Sequence, residues 1–290
     1  MSSIAFEPQP FAEGRFRTAH RGVYVSPLEK VGHKCVVKRK KSGFTWDPNG
    51  WDICIQIQEE AQLLAQGYVR YCQSQTIVRR AQPLSVVGIN LPVVPFLGQQ
   101  PPSAYKITFT KIDTCTVSHG PYQIPEYVIV EDYLSGSYRK WVNNLGGISS
   151  DSDVLPAFSH WSWVYTKGEK MIADLQGIHR DDICTYILTD PAILTASGGG
   201  VMGGADTGIV GMTMFFINHR CNQLCRDLPK PTWETIMQSI PNIQLQINPM
   251  QLLLMQLVNR NTVFVHELDK LDPGIKAALI HLFKQIVQGN

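Results

Sequence analysis

The sequence predicts an α+β protein, built as one large domain or two lobes, and three observations carry the fold class. β-Branched runs separated by Gly and Pro fill much of the first 130 residues. One long stretch of helix-compatible apolar spacing interrupts them at residues 52–72. Past Pro231 the apolar residues recur at i, i+3, i+4 intervals, which predicts a helical end. A chain of 290 residues, 44% hydrophobic and 17% charged, is long enough to bury a substantial core.

From the amino end, EGRFR (13–17) precedes a candidate strand, and CVVK (35–38) reads as another. DICIQIQEEAQLLAQGYVRYC places Ile53, Ile57, Leu64 and Tyr68 at helical intervals, with Ala61 and Ala65 keeping that face lean. TIVRRA (76–81), KITFTKI (106–112) and YVIVEDYL (127–134) are expected as strands. A helix is expected from Tyr138 to Asn144. The Trp-rich FSHWSWVYTKGEKMIADLQG alternates like strands joined by a turn at Lys167 and Gly168. SGGGVMGGADTG (197–208) is too rich in glycine for a regular element and is expected to be a loop. PMQLLLMQLVNR and DPGIKAALIHLFKQIVQGN carry apolar helical faces, and Asp272 with Pro273 supplies a helix start. No period of ~20 to ~50 residues repeats.

The formal charge of +2 is too small to imply a nucleic-acid or membrane partner, although VGHKCVVKRKKSG (31–43) concentrates basic residues. Such a run reads first as solvated strand ends. MSSIAFEPQP lacks a basic segment followed by an apolar run, and LSVVGINLPVVPFLG (84–98) is broken by Pro92 and Pro95. Neither a secretion signal nor a membrane span is expected. Five of the seven cysteines (Cys35, Cys54, Cys72, Cys115, Cys184) are scattered without framework spacing, so a reducing, cytoplasmic setting is expected.

The remaining two cysteines lie in FFINHRCNQLC, where His219, Cys221 and Cys225 form H-x-C-x₃-C. On a helix Cys221 and Cys225 share a face while His219 points away, so convergence requires any helix there to begin after His219. A closed zinc site takes four tetrahedral N and S ligands, and this stretch supplies three. His160 is a candidate fourth; His20, His33, His119, His179, His266 and His281 compete, and spacing does not choose among them. The alternative is two buried apolar thiols beside a surface histidine.

Asp174 ends the short apolar run of MIADLQG, and Asp190 precedes Pro191 in LTDPAI. An acidic residue at a strand end, projecting into a cleft, offers a general base or a Mg²⁺ ligand. Gln176 falls on the same side as Asp174 if the chain stays extended. Lys38 ends an apolar run as a phosphate-binding lysine would, and Arg17 follows the single glycine of EGRFR. Each has a plainer reading: Asp before Pro opens turns, and a lysine at a strand end is often only solvated.

Read in order, PFAEGRFRTA, CVVKRK, VEDYLSGSYRKWVNN, AFSHWSWVYTKGEKMIADLQG, LTDP, GGADTGIVG and FFINHRCNQLC resemble the atypical alpha-kinase family, over residues ~10 to 228. The resemblance implies a two-lobed, protein-kinase-like fold with a structural zinc in the carboxyl lobe, followed here by a helical extension. It implies an ATP- and Mg²⁺-dependent protein serine/threonine kinase acting on a protein substrate. The lobes would be residues 1–130 for nucleotide binding and 131–235 for catalysis and zinc, with 236–290 as the extension.

The same resemblance implies site roles. Lys38 and Arg17 would hold the phosphates, while Glu131 and Leu134 would lie in the hinge that receives adenine. Asp174 would be catalytic, with Lys140 and Asn144 at polar positions of the cleft. Gln176 and Asp190 would coordinate Mg²⁺, and His160 would complete the zinc set with His219, Cys221 and Cys225. Lys38 also needs a carboxylate partner, for which Glu59 and Glu60 are candidates. HRDDICTYI lengthens the gap between D-L-Q-G and L-T-D-P and makes Asp181 and Asp182 rivals of Asp190. That insertion also motivates an alternative, a catalytically impaired relative that keeps the fold and the zinc.

Overall fold

The computed structural model describes residues 3–41, 47–81, 105–119, 124–197 and 200–231. The expected helices beyond Pro231 lie outside these residues. In chain order the amino-terminal part holds β1 (Ser3–Phe6), β2 (Ala12–Glu13), β3 (Arg17–Ser26), β4 (Lys34–Lys40), α1 (Asp52–Ala81), β5 (Lys106–Phe109), β6 (Asp113–His119) and β7 (Ile124–Asp132). Strands β1, β3, β4, β7 and β6 pair in that order, with β2 on β3, to give a six-stranded sheet. Its pairings are antiparallel. Alternation along β3 buries His20, Gly22 and Tyr24, and Tyr24 joins Cys35, Val37, Val128 and Val130 in a small core.

The expected helix at 52–72 is present, but it runs on to Ala81 and takes in TIVRRA, which was expected as a strand. Threonine, isoleucine and valine favour strands only where a sheet can pair them; here they extend a helix already nucleated upstream. Ile57, Ala61, Leu64, Ala65, Tyr68 and Cys72 form its buried stripe.

Five more strands and two helices follow: β8 (Arg139–Val142), α2 (Val154–Tyr165), β9 (Lys170–Ala173), β10 (Leu175–Arg180), β11 (Thr185–Thr189), β12 (Ala192–Thr195) and α3 (Gly208–Asn218). Residues 138–144, expected as a helix, hold β8 instead. Trp141 and Val142 are buried there, and the Asn143 side chain accepts from the backbone of Leu145 and Gly147, drawing the chain into a turn. FSHWSWVY, expected as strand, is the core of α2. Every residue from Val154 to Ser162 is buried, so no polar face marks the helical period. The turn at Lys167 and Gly168 is where expected, with both residues at positive φ. The described part of the glycine cluster, from residue 200, is a loop up to Gly208, where α3 begins.

The second sheet runs β5, β11, β10, β8, and β12 pairs with β9 in a third. Thus β5, in the segment expected in the amino lobe, lies parallel to β11, with Lys106 opposite Thr185. The chain kinks between β9 and β10 at Asp174 (φ 52°) and between β11 and β12 at Asp190 (φ 49°). Each aspartate therefore stands where its strand leaves one sheet and enters the other. Asp174 being left-handed, the extended continuity assumed between it and Gln176 does not hold.

Gly177 has φ 149°, and a Cβ there would meet the Ile187 carbonyl oxygen at 2.1 Å. Gly177→Ala should destabilise the protein by ~3 kcal/mol through combined strain and overlap, read as a lowered urea midpoint. A neutral substitution would contradict this packing.

Candidate active site and metal centre

The kinks at Asp174 and Asp190 are brought together by strand register, since Gln176 faces Thr189 across β10 and β11 while Ala173 faces Ala192 across β9 and β12. Aspartate tolerates the left-handed region better than most residues, which lets two carboxylates occupy this junction. Cations from the six-stranded sheet meet one of them. Arg17 Nη1, at the start of β3, lies 2.9 Å from Asp190 Oδ1, and Lys38 Nζ, on β4, lies 2.6 Å from Asp190 Oδ2.

Lys38 also pairs with Glu131 Oε1 at the end of β7, so its carboxylate partner is Glu131, not Glu59 or Glu60. Glu60 pairs instead with Lys170, at 2.6 Å. The register of β4 on β7 explains this: Val36 faces Glu131, and Lys38, two residues on, shares that face. Glu131 is further held by two hydroxyls. Thr110 Oγ1 donates to Oε2 at 2.7 Å and Thr189 Oγ1 at 2.5 Å. Thr189 in turn accepts from Lys38 at 3.1 Å, and Thr110 from Gln58 Nε2 at 2.9 Å.

Each hydroxyl in this network therefore accepts one bond and donates one, as a buried polar cluster requires. Thr110, Thr189 and Gln58 were not expected from the sequence. Their signal there is only an ordinary polar residue at a strand or helix position.

Burial works against charge at Lys38, but Asp190 and Glu131 outweigh it and raise the ammonium above its ordinary range. Arg17 is raised in the same way, with burial opposed chiefly by Asp190. Burial likewise opposes ionisation of Asp190, yet Lys38 and Arg17 hold its carboxyl well below the usual carboxylate range. Gln176 Nε2 donates to the Asp190 carbonyl at 3.2 Å, so this side chain joins the same group. Tyr138, also missed in the sequence, is pushed up by burial and then by Asp190, Glu131 and Asp174.

Asp174 is served from β8 and the turn after it. Lys140 Nζ donates to its Oδ1 at 3.1 Å and the Asn144 backbone N–H at 3.0 Å. The Asn144 side chain turns away and donates to the Ala205 carbonyl at 2.9 Å, tying this turn to the glycine loop. Asp206 organises that loop. It accepts from the backbone N–H groups of Thr195 and Gly208, both at 2.9 Å, and from the Thr195 hydroxyl at 2.7 Å. Glu131 to Leu134 lead from β7 in the first sheet towards β8 in the second. Asp181 and Asp182 lie at the opposite end of the β10–β11 hairpin, with the Asp181 side chain 94% exposed, so they are not part of this group.

A second cluster lies between α2 and the end of α3. The ligand atoms of His160, His219, Cys221 and Cys225 all fall within 4.8 Å of one another. Helix α3 ends at Asn218, and His219 is extended at its cap, which frees the imidazole to face the two thiols. His160 projects from α2, and among the described histidines it is the one that joins them. Its Nε2 is 2.9 Å from the Pro229 carbonyl and its Nδ1 3.5 Å from Cys221 Sγ; His219 Nε2 is 3.4 Å from Cys225 Sγ. With Nε2–H donated to the carbonyl, Nδ1 of His160 keeps a lone pair facing the thiols. Burial keeps His219 below its ordinary value and hence neutral. The hydrogen bond from Cys225 draws the Cys221 thiol down, and the Cys225 thiol is correspondingly raised.

Comparison with known proteins places this geometry. The alpha-kinase family model matches residues 12–225. The chain is 28% identical to alpha-protein kinase vwkA of Dictyostelium discoideum over 228 residues, 78% of this chain and 31% of that protein. It is 31% identical to human transient receptor potential cation channel subfamily M member 6 over 153 residues, 46% of this chain and 7% of that protein. The chain thus spans less than a third of these relatives' lengths.

Among solved structures, an alpha kinase from Entamoeba histolytica superposes with TM-score 0.58 at 24% identity, covering 79% of this chain and 80% of that one. The alpha-kinase domain of myosin heavy chain kinase A, solved in complex with AMP, gives 0.56 at 20% identity, covering 77% and 89%. These two likenesses speak for the fold, and the family match covers every strand described above except β1, together with both kinks and both clusters. The chain belongs to the alpha-kinase family.

Proposed function

We propose that this protein is an ATP- and Mg²⁺-dependent protein kinase that phosphorylates serine or threonine hydroxyls of a protein substrate. The observation that carries the reading is the pairing of Asp174 and Asp190 on facing left-handed kinks, with Lys38 and Arg17 drawn to Asp190 and Lys140 to Asp174. Phosphoryl transfer is catalysed mainly by positioning and by offsetting charge, and this group does both.

Lys38 and Arg17 would receive phosphate oxygens, with Glu131 holding the lysine in place. Adenine would lie against the Glu131–Leu134 connection. Asp174, oriented by Lys140 and by the Asn144 N–H, would accept the hydroxyl proton as the acceptor oxygen approaches phosphorus. Asp190 and Gln176 suit a hard cation: one offers carboxylate oxygens and the other an amide oxygen, its N–H being turned to the Asp190 carbonyl. Mg²⁺ bound there would neutralise phosphate charge. The inserted HRDDICTYI lengthens β10 and β11 at the end remote from Asp190, which supports a catalytic reading over a silent one.

The His160, His219, Cys221 and Cys225 cluster supports a structural zinc. Zinc–nitrogen and zinc–sulfur bonds of ~2.0 and ~2.3 Å at a tetrahedral angle separate the two donors by ~3.5 Å. The observed separations, 3.5 and 3.4 Å, match that spacing. Four protein donors leave no open position, so the metal's contribution would be to join α2 to the end of α3. A cytoplasmic setting remains part of the reading and rests on the free thiols.

Incubation with Mg²⁺, labelled ATP and a generic Ser/Thr substrate should give transfer that falls at least ~100-fold in Asp174→Ala. Transfer unchanged in the variant would overturn the role of Asp174. Cys225→Ala should lose zinc and thermal stability together; a folded, active, zinc-free variant would remove the structural role of the metal. The folded pKa of Asp190 lies below the unfolded one, so its stabilising contribution is complete above the ordinary carboxylate range. That contribution disappears as pH falls through the folded value. The stability difference between wild type and Asp190→Asn in urea should therefore narrow from about pH 5 to about pH 2. A constant difference would mean that Asp190 is not held ionised by its partners.

A further inference from the structure

The aim of Asp174 depends on a backbone N–H, and that N–H belongs to a turn which has to be held. Residues 143–147 make this turn: Asn143 N donates to Gly147 O at 2.9 Å, and Asn143 Oδ1 accepts from Leu145 N at 2.8 Å and Gly147 N at 2.7 Å. Internal bonds fix its shape but not its distance from Asp174. Its outer side rests directly on α3. Gly146 has φ 75°, and a Cβ there would lie 2.2 Å from the Met214 carbonyl carbon. Backbone therefore meets backbone at that point.

Asn218 closes the contact. Its Nδ2 donates to Gly146 O and to Met214 O, both at 3.0 Å, so one carboxamide joins the turn to the last turn of α3. Thr207 Oγ1 supports the other side by donating to Asn144 O at 2.6 Å. Asn218 immediately precedes His219, whose imidazole belongs to the metal cluster. The polar path from that cluster to Asp174 is thus short: His219, Asn218, the Gly146 carbonyl, the Asn144 N–H, Asp174.

We infer that Asn218 is a positioning residue for Asp174: its carboxamide holds the Asn143–Gly147 turn against α3 so that the Asn144 N–H stays aimed at the carboxylate, and it links the metal cluster to the reacting centre. The inference rests on the kinase reading for the role of Asp174. Asn218 is exposed, so replacing it opens no core cavity, and the effect of a substitution reports on the tether. A displaced turn would leave Lys38, Arg17 and Glu131 untouched, because their contacts lie on β3, β4, β7 and β11, at Thr110 just past β5 and at the Asp190 kink. Nucleotide affinity is therefore separable from the chemical step.

The test uses Asn218→Leu and Asn218→Asp in the full chain; the second keeps the size and removes both N–H donors. The expected result is a kcat lowered ~10-fold with the KM for ATP within ~2-fold of wild type. Zinc stoichiometry should be unchanged. Amide exchange by NMR should quicken at Asn144, Leu145 and Gly147, and Asn218→Gln, which retains a carboxamide, should recover part of kcat. Unchanged kcat and exchange in both folded variants would overturn the inference. So would parallel loss of kcat, zinc and thermal stability, which marks a role in folding only. A wild-type chain that transfers no phosphate would sink the kinase reading; the tether is then decided by exchange, where unchanged rates at residues 143–147 overturn it and faster rates with zinc retained support it.

Discussion

Lys38 carries its charge on a side chain that is only 7% exposed, and a charge so placed must be met by protein groups or given up. It is met from two directions. Glu131 comes from the neighbouring strand of the same sheet, and Asp190 comes from the kink where β11 becomes β12. The lysine therefore belongs to both halves of the fold at once. Arg17 repeats the arrangement with Asp190, and Thr110, Thr189 and Gln58 use up the remaining donors and acceptors around Glu131. Removing one member of such a buried pair typically costs ~3–5 kcal/mol, since the other charge is left unpaired. The same concentration of opposed charge is what a polyphosphate with a divalent cation would enter.

The two left-handed aspartates turn this electrostatic pairing into a site. A straight strand could not send its first half into one sheet and its second half into another. The kinks at Asp174 and Asp190 allow that change, and pairing of β9 with β12 and of β10 with β11 keeps the kinks side by side. Backbone strain at these points is offset by hydrogen bonds on the same residues. Asp174 accepts from Lys140 and Asn144, and Asp190 from Lys38. Position and chemistry are thus set by one backbone feature used twice.

Behind the kinks, close backbone approach replaces side-chain packing. At Gly146 a side chain would strike α3, and at Gly211 a Cβ would lie 2.1 Å from Thr207 Oγ1 and 2.7 Å from the Asn144 carbonyl. α3 is thereby pressed onto the turn that serves Asp174, and His219 of the His/Cys cluster caps its far end. α2 brings His160 to the same cluster while packing on α1, where Gly67 lets the Trp161 ring approach. The His/Cys cluster and the turn that serves Asp174 thus share one support, α3.

Much of this was legible in the chain as written. The helix beginning near residue 52, the strands around CVVK and YVIVED, the glycine loop and the turn at Lys167 follow from local period and turn chemistry, which involve neighbours in sequence. The D-L-Q-G, L-T-D-P and H-x-C-x₃-C segments marked the kinds of residue a site would use. Local pattern misled where burial erased it: α2 is buried on all faces from Val154 to Ser162 and looked like strand, while TIVRRA looked like strand and continues α1. What the sequence by itself determined was therefore the chemistry on offer and the elements whose period survives burial. Tertiary structure decided which groups meet: Glu131 rather than Glu59 or Glu60 for Lys38, His160 for the two thiols, and Asp190 rather than Asp181 or Asp182 beside Asp174. Those choices join residues far apart along the chain, and they are set by sheet register and helix contact, which local spacing does not encode.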